Sequence, residues 1–299
     1  MKDHSILRSA RTKSAVELVM HILFIVCGLL AVIAVLFISI YMIASGGPAI
    51  AKIGVFKFLF GQIWNPEAGQ FGILPFILSS IVATALSILI AVPIGVGAAI
   101  FLTYMAGKKT GGIFLFIVEL LASIPSVVYG LLGAMLVAPM IFKLQTMLSL
   151  PQSGSLLSAT IVLVIMILPT IISVSASSLQ AVPKTYNDAS LALGSSKIQS
   201  IFKVLLPAAK SGIIAGIVLG VGRAIGETMA VMMVAGNAAM MPTLLGPVRL
   251  LTVGISLEWA YSSGLHREAL YGIGLVLFVF IMIINIVLNI ILKKGGKKA

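Results

Sequence analysis

Six apolar runs divide this sequence, near Val19–Ile43, Ile73–Tyr104, Ile113–Ile141, Leu156–Ser178, Ser211–Ala235 and Ala269–Leu292. Each is long enough for a helix to cross about 30 Å of hydrocarbon at about 1.5 Å per residue. In lipid every backbone N–H and C=O must be satisfied within the segment, so runs of this length are read as helices. The expected fold is an all-α integral membrane protein with six transmembrane helices. Pro93 and Pro125 interrupt the second and third runs, and mark places where a helix would bend or break. Composition agrees, since 9% of residues are charged against about 25% in soluble domains.

The first run follows a basic N-terminus (Lys2, Arg8, Arg11, Lys13). Its 25 residues exceed the roughly 7–15 of a signal-peptide core, so it is read as a retained span. Placing the N-terminus inside puts fourteen Lys and Arg residues on the inner segments: those four, Lys108, Lys109, Lys184, Lys197, Lys203, Lys210, Lys293, Lys294, Lys297 and Lys298. The outer segments hold five: Lys52, Lys57, Lys143, Arg249 and Arg267. The bias places both termini in the cytoplasm. The expected organisation is a cytoplasmic segment at 1–18, a six-span domain at 19–292 with an inner loop at 183–210, and a basic cytoplasmic tail at 293–299. The net charge of +12 follows from this distribution. No basic stripe with interleaved aromatics accompanies it, so nucleic acid is not an expected partner. Trp64 and Trp259 fall in the long outer segments 45–72 and 236–268, as interfacial rings or as ordinary loop residues.

Cys27 stands alone, so no disulfide forms within the chain. His4, His21 and His266 have no ligand spacing, and no metal site is expected. The sequence lacks a GxxxxGK[ST] loop, a GxSxG elbow and an HExxH pair, so it is not expected to be an enzyme.

The inner loop reads VPKTYNDASLALGSSKIQSIFKVLLPAAKSG. Pro183 suits a helix start and Gly194 its C-terminal stop. Ser195 or Ser196 caps a second helix, on which Ile198, Ile201, Phe202 and Leu205 form one apolar stripe before Pro207 ends or bends it. Two short helices joined at a glycine make a compact knob. It either lies on the lipid surface or fills a partner's groove.

The stretch GRAIGETMAV, residues 222–231, places Arg223 and Glu227 in the otherwise uncharged fifth run. Each charge near the bilayer centre costs about 2.5–3.5 kcal/mol on insertion scales, so both need a reason. At i, i+4 they share a helix face and can pair. One reading is a structural ion pair. The other is a polar pathway in which the planar guanidinium meets an anion. Gly212, Gly216, Gly220, Gly222 and Gly226 would let neighbouring helices approach closely. A second wall is expected from ELLASIPSVVYG, residues 119–130. There Pro125 frees the Leu121 carbonyl, and Ser123, Ser126 and Tyr129 offer hydroxyls that re-satisfy the backbone, bond between helices or line a pore.

The inner loop resembles that of ABC-importer permeases, in which Glu-Ala-Ala, three residues, Gly, nine residues and Ile-x-Leu-Pro recur. Asp188, Ala189 and Ser190 occupy the first three places, Gly194 matches, and Val204, Leu206 and Pro207 end the pattern. The departures are Asp for Glu, Ser for the second Ala and Val for Ile. The stretches FGILPFILSSIVAT (71–84), ELLASIPSVVYG and GRAIGETMAVMMVAGN (222–237) resemble the C-type permease subunits of phosphate-specific ABC importers. The matching motifs run from about Gly46 to Asn237.

The resemblance implies the type I ABC importer permease fold with a cytoplasmic coupling helix. It implies docking of an ATP-binding subunit through Asp188, Ala189, Ser190, Gly194, Ile198, Phe202, Leu206 and Pro207. It implies a substrate pathway through Arg223, Glu227, Ser123, Ser126 and Tyr129. The function it implies is one permease subunit of an ATP-driven inorganic phosphate importer in the cell (inner) membrane. The implied partners are an A-type second permease forming a heterodimer, two ATP-binding subunits, an extracytoplasmic phosphate-binding protein and the lipid bilayer. No cofactor is expected on this chain, with ATP and Mg on the partner ATPase. Alternatives are a permease for sulfate or molybdate, the A-type phosphate permease, an ion-coupled secondary transporter and a membrane scaffold.

Overall fold

The computed structural model of the chain describes residues 3–296. Lys2, Lys297 and Lys298 of the expected terminal basic clusters lie outside them, as do the side chains of Arg8, Arg11, Lys13, Lys293 and Lys294. The first run lies in a helix longer than expected, α1 (Asp3–Ile53), which continues through Pro48. Its apolar side chains from Leu18 to Ile43 are almost all exposed, as a lipid-facing helix requires. After α2 (Val55–Phe60) comes a small hairpin, β1 (Trp64–Asn65) and β2 (Gln70–Phe71), pairing Trp64 with Phe71.

Helix α3 (Leu74–Ile100) runs through Pro93 without a break and ends in a π-turn at Phe101–Met105. Its neighbour supports it there, since a Cβ on Gly95 would lie 2.8 Å from Ile171. The third run does break: α4 (Lys108–Ala122) stops at Ser123–Pro125 and the chain resumes as α5 (Ser126–Leu132), a π-turn at Gly133–Val137, and α6 (Ala138–Met147). The central helix is α7 (Leu156–Gln180), capped by Ser155 accepting from the Ser158 N–H.

The inner loop holds α8 (Lys184–Ala192), α9 (Lys197–Ser200), a π-turn at Ile201–Leu205 and α10 (Leu206–Ala208). Beyond a 69° bend runs α11 (Lys210–Gly226), so Pro207 marks a bend as its ring predicts. Then come α12 (Met229–Met232), α13 (Leu251–Glu258) and α14 (Gly264–Gly296). Among the described residues five helical stretches are long and apolar enough to cross a membrane, and the bent pair ending in α11 makes a sixth.

Three apolar clusters hold the helices together. The largest surrounds α7 at Leu163, Met166, Ile167 and Ile171. One end gathers Phe58, Phe76, Leu251 and Leu270, and the other Ile100, Leu179, Ile201, Leu205 and Ile213. Close approach of α11 to α7 depends on three of the five glycines. A Cβ would lie 2.2 Å from Ser178 at Gly212, 3.1 Å from Val174 at Gly216 and 3.0 Å from Ile171 at Gly220. At Gly222 and Gly226 nothing lies within 4 Å, so these two do not pack helices within this chain.

Candidate functional site

Helix α11 stops at Gly226, and Glu227 is extended at φ −69° and ψ 129°. That ends the expected i, i+4 geometry. Among the described ion pairs Arg223 and Glu227 do not meet. Arg223 occupies the last turn of α11, where the helix dipole presents partial negative charge. The buried Glu227 carboxylate accepts from the Ala230 N–H at 3.0 Å, at the partially positive start of α12. Its carbonyl accepts from the Thr252 hydroxyl at 2.8 Å, which ties the break to α13. A broken helix therefore stands where the sequence suggested an ion pair on one helix face. Discontinuous helices whose ends carry a site's partial charges are a recurring transporter device.

The second wall lies where the sequence suggests. Nη1 of the half-buried Arg223 donates to Thr170 Oγ1 at 3.2 Å and makes a long 3.5 Å contact with the Ala122 carbonyl, at the end of α4. Nε and Nη2 have no protein partner among the described residues. The buried Tyr129 hydroxyl donates to the Leu121 carbonyl at 2.7 Å, so it re-satisfies the backbone group that Pro125 frees. Ser123 turns back to the Leu120 carbonyl at 2.7 Å. Ser126 is half-buried and has no side-chain partner among the described residues. Helices α5 and α12 touch at Gly130, where a Cβ would lie 2.8 Å from Ala230.

The knob follows its sequence signals closely. Gly194 has φ 86°, its N–H donates to Leu191, and the Ser195 N–H donates to Ser190, which together form a Schellman stop. Ser196 is the cap of α9 and shares a reciprocal capping box with Gln199. Ser195 instead bonds Ser190, whose side chain is buried.

Asp188, Ala189 and Gly194 are exposed, and beside them Leu193 is 90% exposed. The apolar stripe, however, divides. Ile201 and Leu205 are buried in this chain's own core, while Ile198 and Phe202 are exposed, because the π-turn at Ile201–Leu205 changes the helical period. Phe202 and Leu206 line an apolar groove with Pro93 and Ile213, between α3 and α11, and Pro207 is exposed. Ala189, Ser190 and Gly194 line one open cavity on the knob, with Asp188 exposed beside them, while Phe202 and Leu206 line the separate apolar groove.

Residues 91–294 match the family described as binding-protein-dependent transport system inner membrane components. This chain belongs to that family. It is a multi-pass membrane permease subunit with the type I ABC importer permease fold. It is 38% identical over 270 residues to a probable ABC transporter permease protein YqgH of Bacillus subtilis, covering 87% of this chain and 86% of that protein. It is 34% identical over 265 residues to a phosphate transport system permease protein PstC of Mesorhizobium japonicum, covering 83% of this chain and 81% of that protein. The fold is that of the inward-facing methionine ABC transporter MetNI, with a TM-score of 0.57 at 18% identity, covering 78% of this chain and 99% of that one.

In this permease one polar network was missed from the sequence. Glu258 accepts from Trp64 Nε1 at 2.8 Å, from Arg249 Nη1 and, at 2.7 Å, meets His266 Nε2. Arg249 also holds the Asn237 carbonyl through Nε at 2.7 Å. These residues join the hairpin, α13, α14 and the segment after α12 around a cavity of about 410 Å³. Trp64 is therefore a buried anchor, whereas Trp259 is partly exposed against Tyr271. The available signal was the density of polar residues at 249–266 within a segment otherwise read as loop.

Proposed function

We propose that this chain is the C-type permease subunit of an ATP-driven inorganic phosphate importer and forms half of its translocation pathway. The observation that carries the reading is Arg223. Its guanidinium lies in an apolar run beside two helix breaks, anchored by one nitrogen, with Nε and Nη2 unpartnered among the described residues. A guanidinium edge of two parallel N–H groups suits an oxyanion. Phosphate, rather than another oxyanion, rests on the similarity to proteins named PstC.

Glu227, Ser126 and Tyr129 line or support the same pathway, with Ser123 at the break. Glu227 repels a second negative charge and keeps anion residence short. An importer needs weak binding at mid-membrane so that the substrate leaves. The knob at 183–210 docks an ATP-binding subunit through Asp188, Ala189 and Gly194, with Ile198 beside them. ATP and Mg are held by two such partner subunits, and this chain carries no cofactor. An A-type permease completes the heterodimer, an extracytoplasmic phosphate-binding protein delivers substrate, and both termini face the cytoplasm.

The test is ATP hydrolysis by the complex reconstituted in lipid vesicles, with phosphate-, sulfate- and molybdate-binding proteins supplied outside. Stimulation by the loaded phosphate-binding protein alone is expected. Stimulation by one of the others instead reassigns the substrate. ATP-independent uptake would make this a secondary transporter.

A further inference from the structure

A hydroxyl on a helix can turn back to the carbonyl four residues earlier, which satisfies it locally. Thr160 does so to Leu156 at 2.8 Å, Ser178 to Val174 at 2.7 Å and Ser87 to Ala83 at 2.7 Å. Thr170 makes no such bond to Met166 and accepts from Arg223 Nη1 at 3.2 Å instead. It follows Pro169, within α7. The Ala122 carbonyl, at the α4 break, approaches the same Nη1 at 3.5 Å.

This anchoring is directional. The guanidinium is a rigid plane, and its Nε and Nη2 hydrogens lie on one edge and point the same way. Holding Nη1 from the other side leaves that edge presented as a fork for two oxygens of one anion.

We propose that Thr170 is a positioning residue for anion passage, which fixes the Arg223 plane so that its Nε–Nη2 edge meets the substrate. This rests on the reading of Arg223 as the group that meets the anion. Thr170 itself does not touch the substrate. Without its acceptor the guanidinium rotates about its long side chain, and a two-point contact becomes a one-point contact. Losing one charge-assisted hydrogen bond corresponds to about a tenfold effect.

The experiment uses the complete complex in proteoliposomes with its binding protein, and measures phosphate taken up per ATP hydrolysed. Thr170→Val keeps the branched shape and removes the acceptor. It is expected to lower that ratio about tenfold, while complex yield and ATP hydrolysis stay at wild-type level. Thr170→Ser, which restores the hydroxyl, should recover the ratio. In an Arg223→Lys background, where no fork exists, Thr170→Val should change nothing further.

Arg223→Gln separates the two layers. If it preserves coupled uptake, the pathway reading itself fails. If it abolishes uptake while Thr170→Val behaves as wild type, only the Thr170 inference fails. Loss of assembly in both Thr170→Val and Thr170→Ala, or failure of Thr170→Ser to rescue, also overturns it and makes Thr170 a packing residue.

Discussion

Gly194 is the joint of the knob, and Gly194→Val tests whether that joint docks the ATP-binding subunit. The residue has φ 86°, and no heavy atom lies within 4 Å of the position a Cβ would take. Neighbouring atoms therefore do not obstruct a side chain, and the cost arises in the backbone. An L-residue in the left-handed region costs about 1–2 kcal/mol, and a β-branched one lies at the upper end. The alternative is to leave that region and lose the Schellman bonds from Gly194 to Leu191 and from Ser195 to Ser190. Both are near the surface, so each contributes only about 0.5–1.5 kcal/mol net. The two routes cost about the same: the first keeps the native joint under strain, whereas the second relaxes it and shifts the angle between α8 and α9, which docking must then restore.

If docking requires the native angle, 1–2 kcal/mol converts to a loss of about 5- to 30-fold in affinity. The assay is binding of the purified ATP-binding subunit to the permease in nanodiscs. Gly194→Asn, which tolerates the left-handed region, should retain most of the affinity. A Val variant that binds within about twofold of wild type would refute the assignment of the knob as the docking element.

Three further outcomes follow from the geometry. Glu258→Ala leaves Arg249 with 17% side-chain exposure and no counter-charge, so thermal stability in detergent should fall by on the order of 3 kcal/mol, with altered Trp64 fluorescence. Unchanged melting and emission would show the network to be dispensable. Gly212→Val should separate α11 from α7 and sharply reduce folded yield, whereas Gly222→Ala should leave this chain's own stability unchanged. Equal effects from the two would contradict the packing described. Single cysteines at Lys197 and Lys57, in a Cys27→Ser background, should label from opposite sides of the membrane. Labelling of both from outside would overturn the topology.

The spans were legible because lipid admits few backbone solutions, and the inner loop was legible because its caps are local. Gly194 and Ser196 act on residues within one turn of themselves, so their signals survive without tertiary context. The break at Glu227 was not legible. It has no proline, and a helical reading put Arg223 and Glu227 on one face. What holds it open is the Thr252 hydroxyl, 25 residues away in sequence, with the Glu227 carboxylate on α12. Likewise α13 is only 8 residues long and ends in a charge, so no run of hydrophobicity announced it. Glu258, Arg249 and His266 read as loop polarity because their mutual satisfaction exists only after folding. The division of the Ile198–Leu205 stripe came from a π-turn, which a fixed period of 3.6 does not anticipate.

Under the proposed function Arg223 serves the substrate and not the packing. The most direct test measures phosphate uptake and complex assembly for Arg223→Gln, Glu227→Gln and the double variant. Because the two side chains have separate partners, Thr170 for Arg223 and the Ala230 N–H for Glu227, removing both charges should not restore what removing one destroys. Arg223→Gln should abolish uptake with the complex intact, and the double variant should remain inactive. Recovery of uptake in the double variant, or disassembly of the complex in Arg223→Gln alone, would show that the charges are a structural pair.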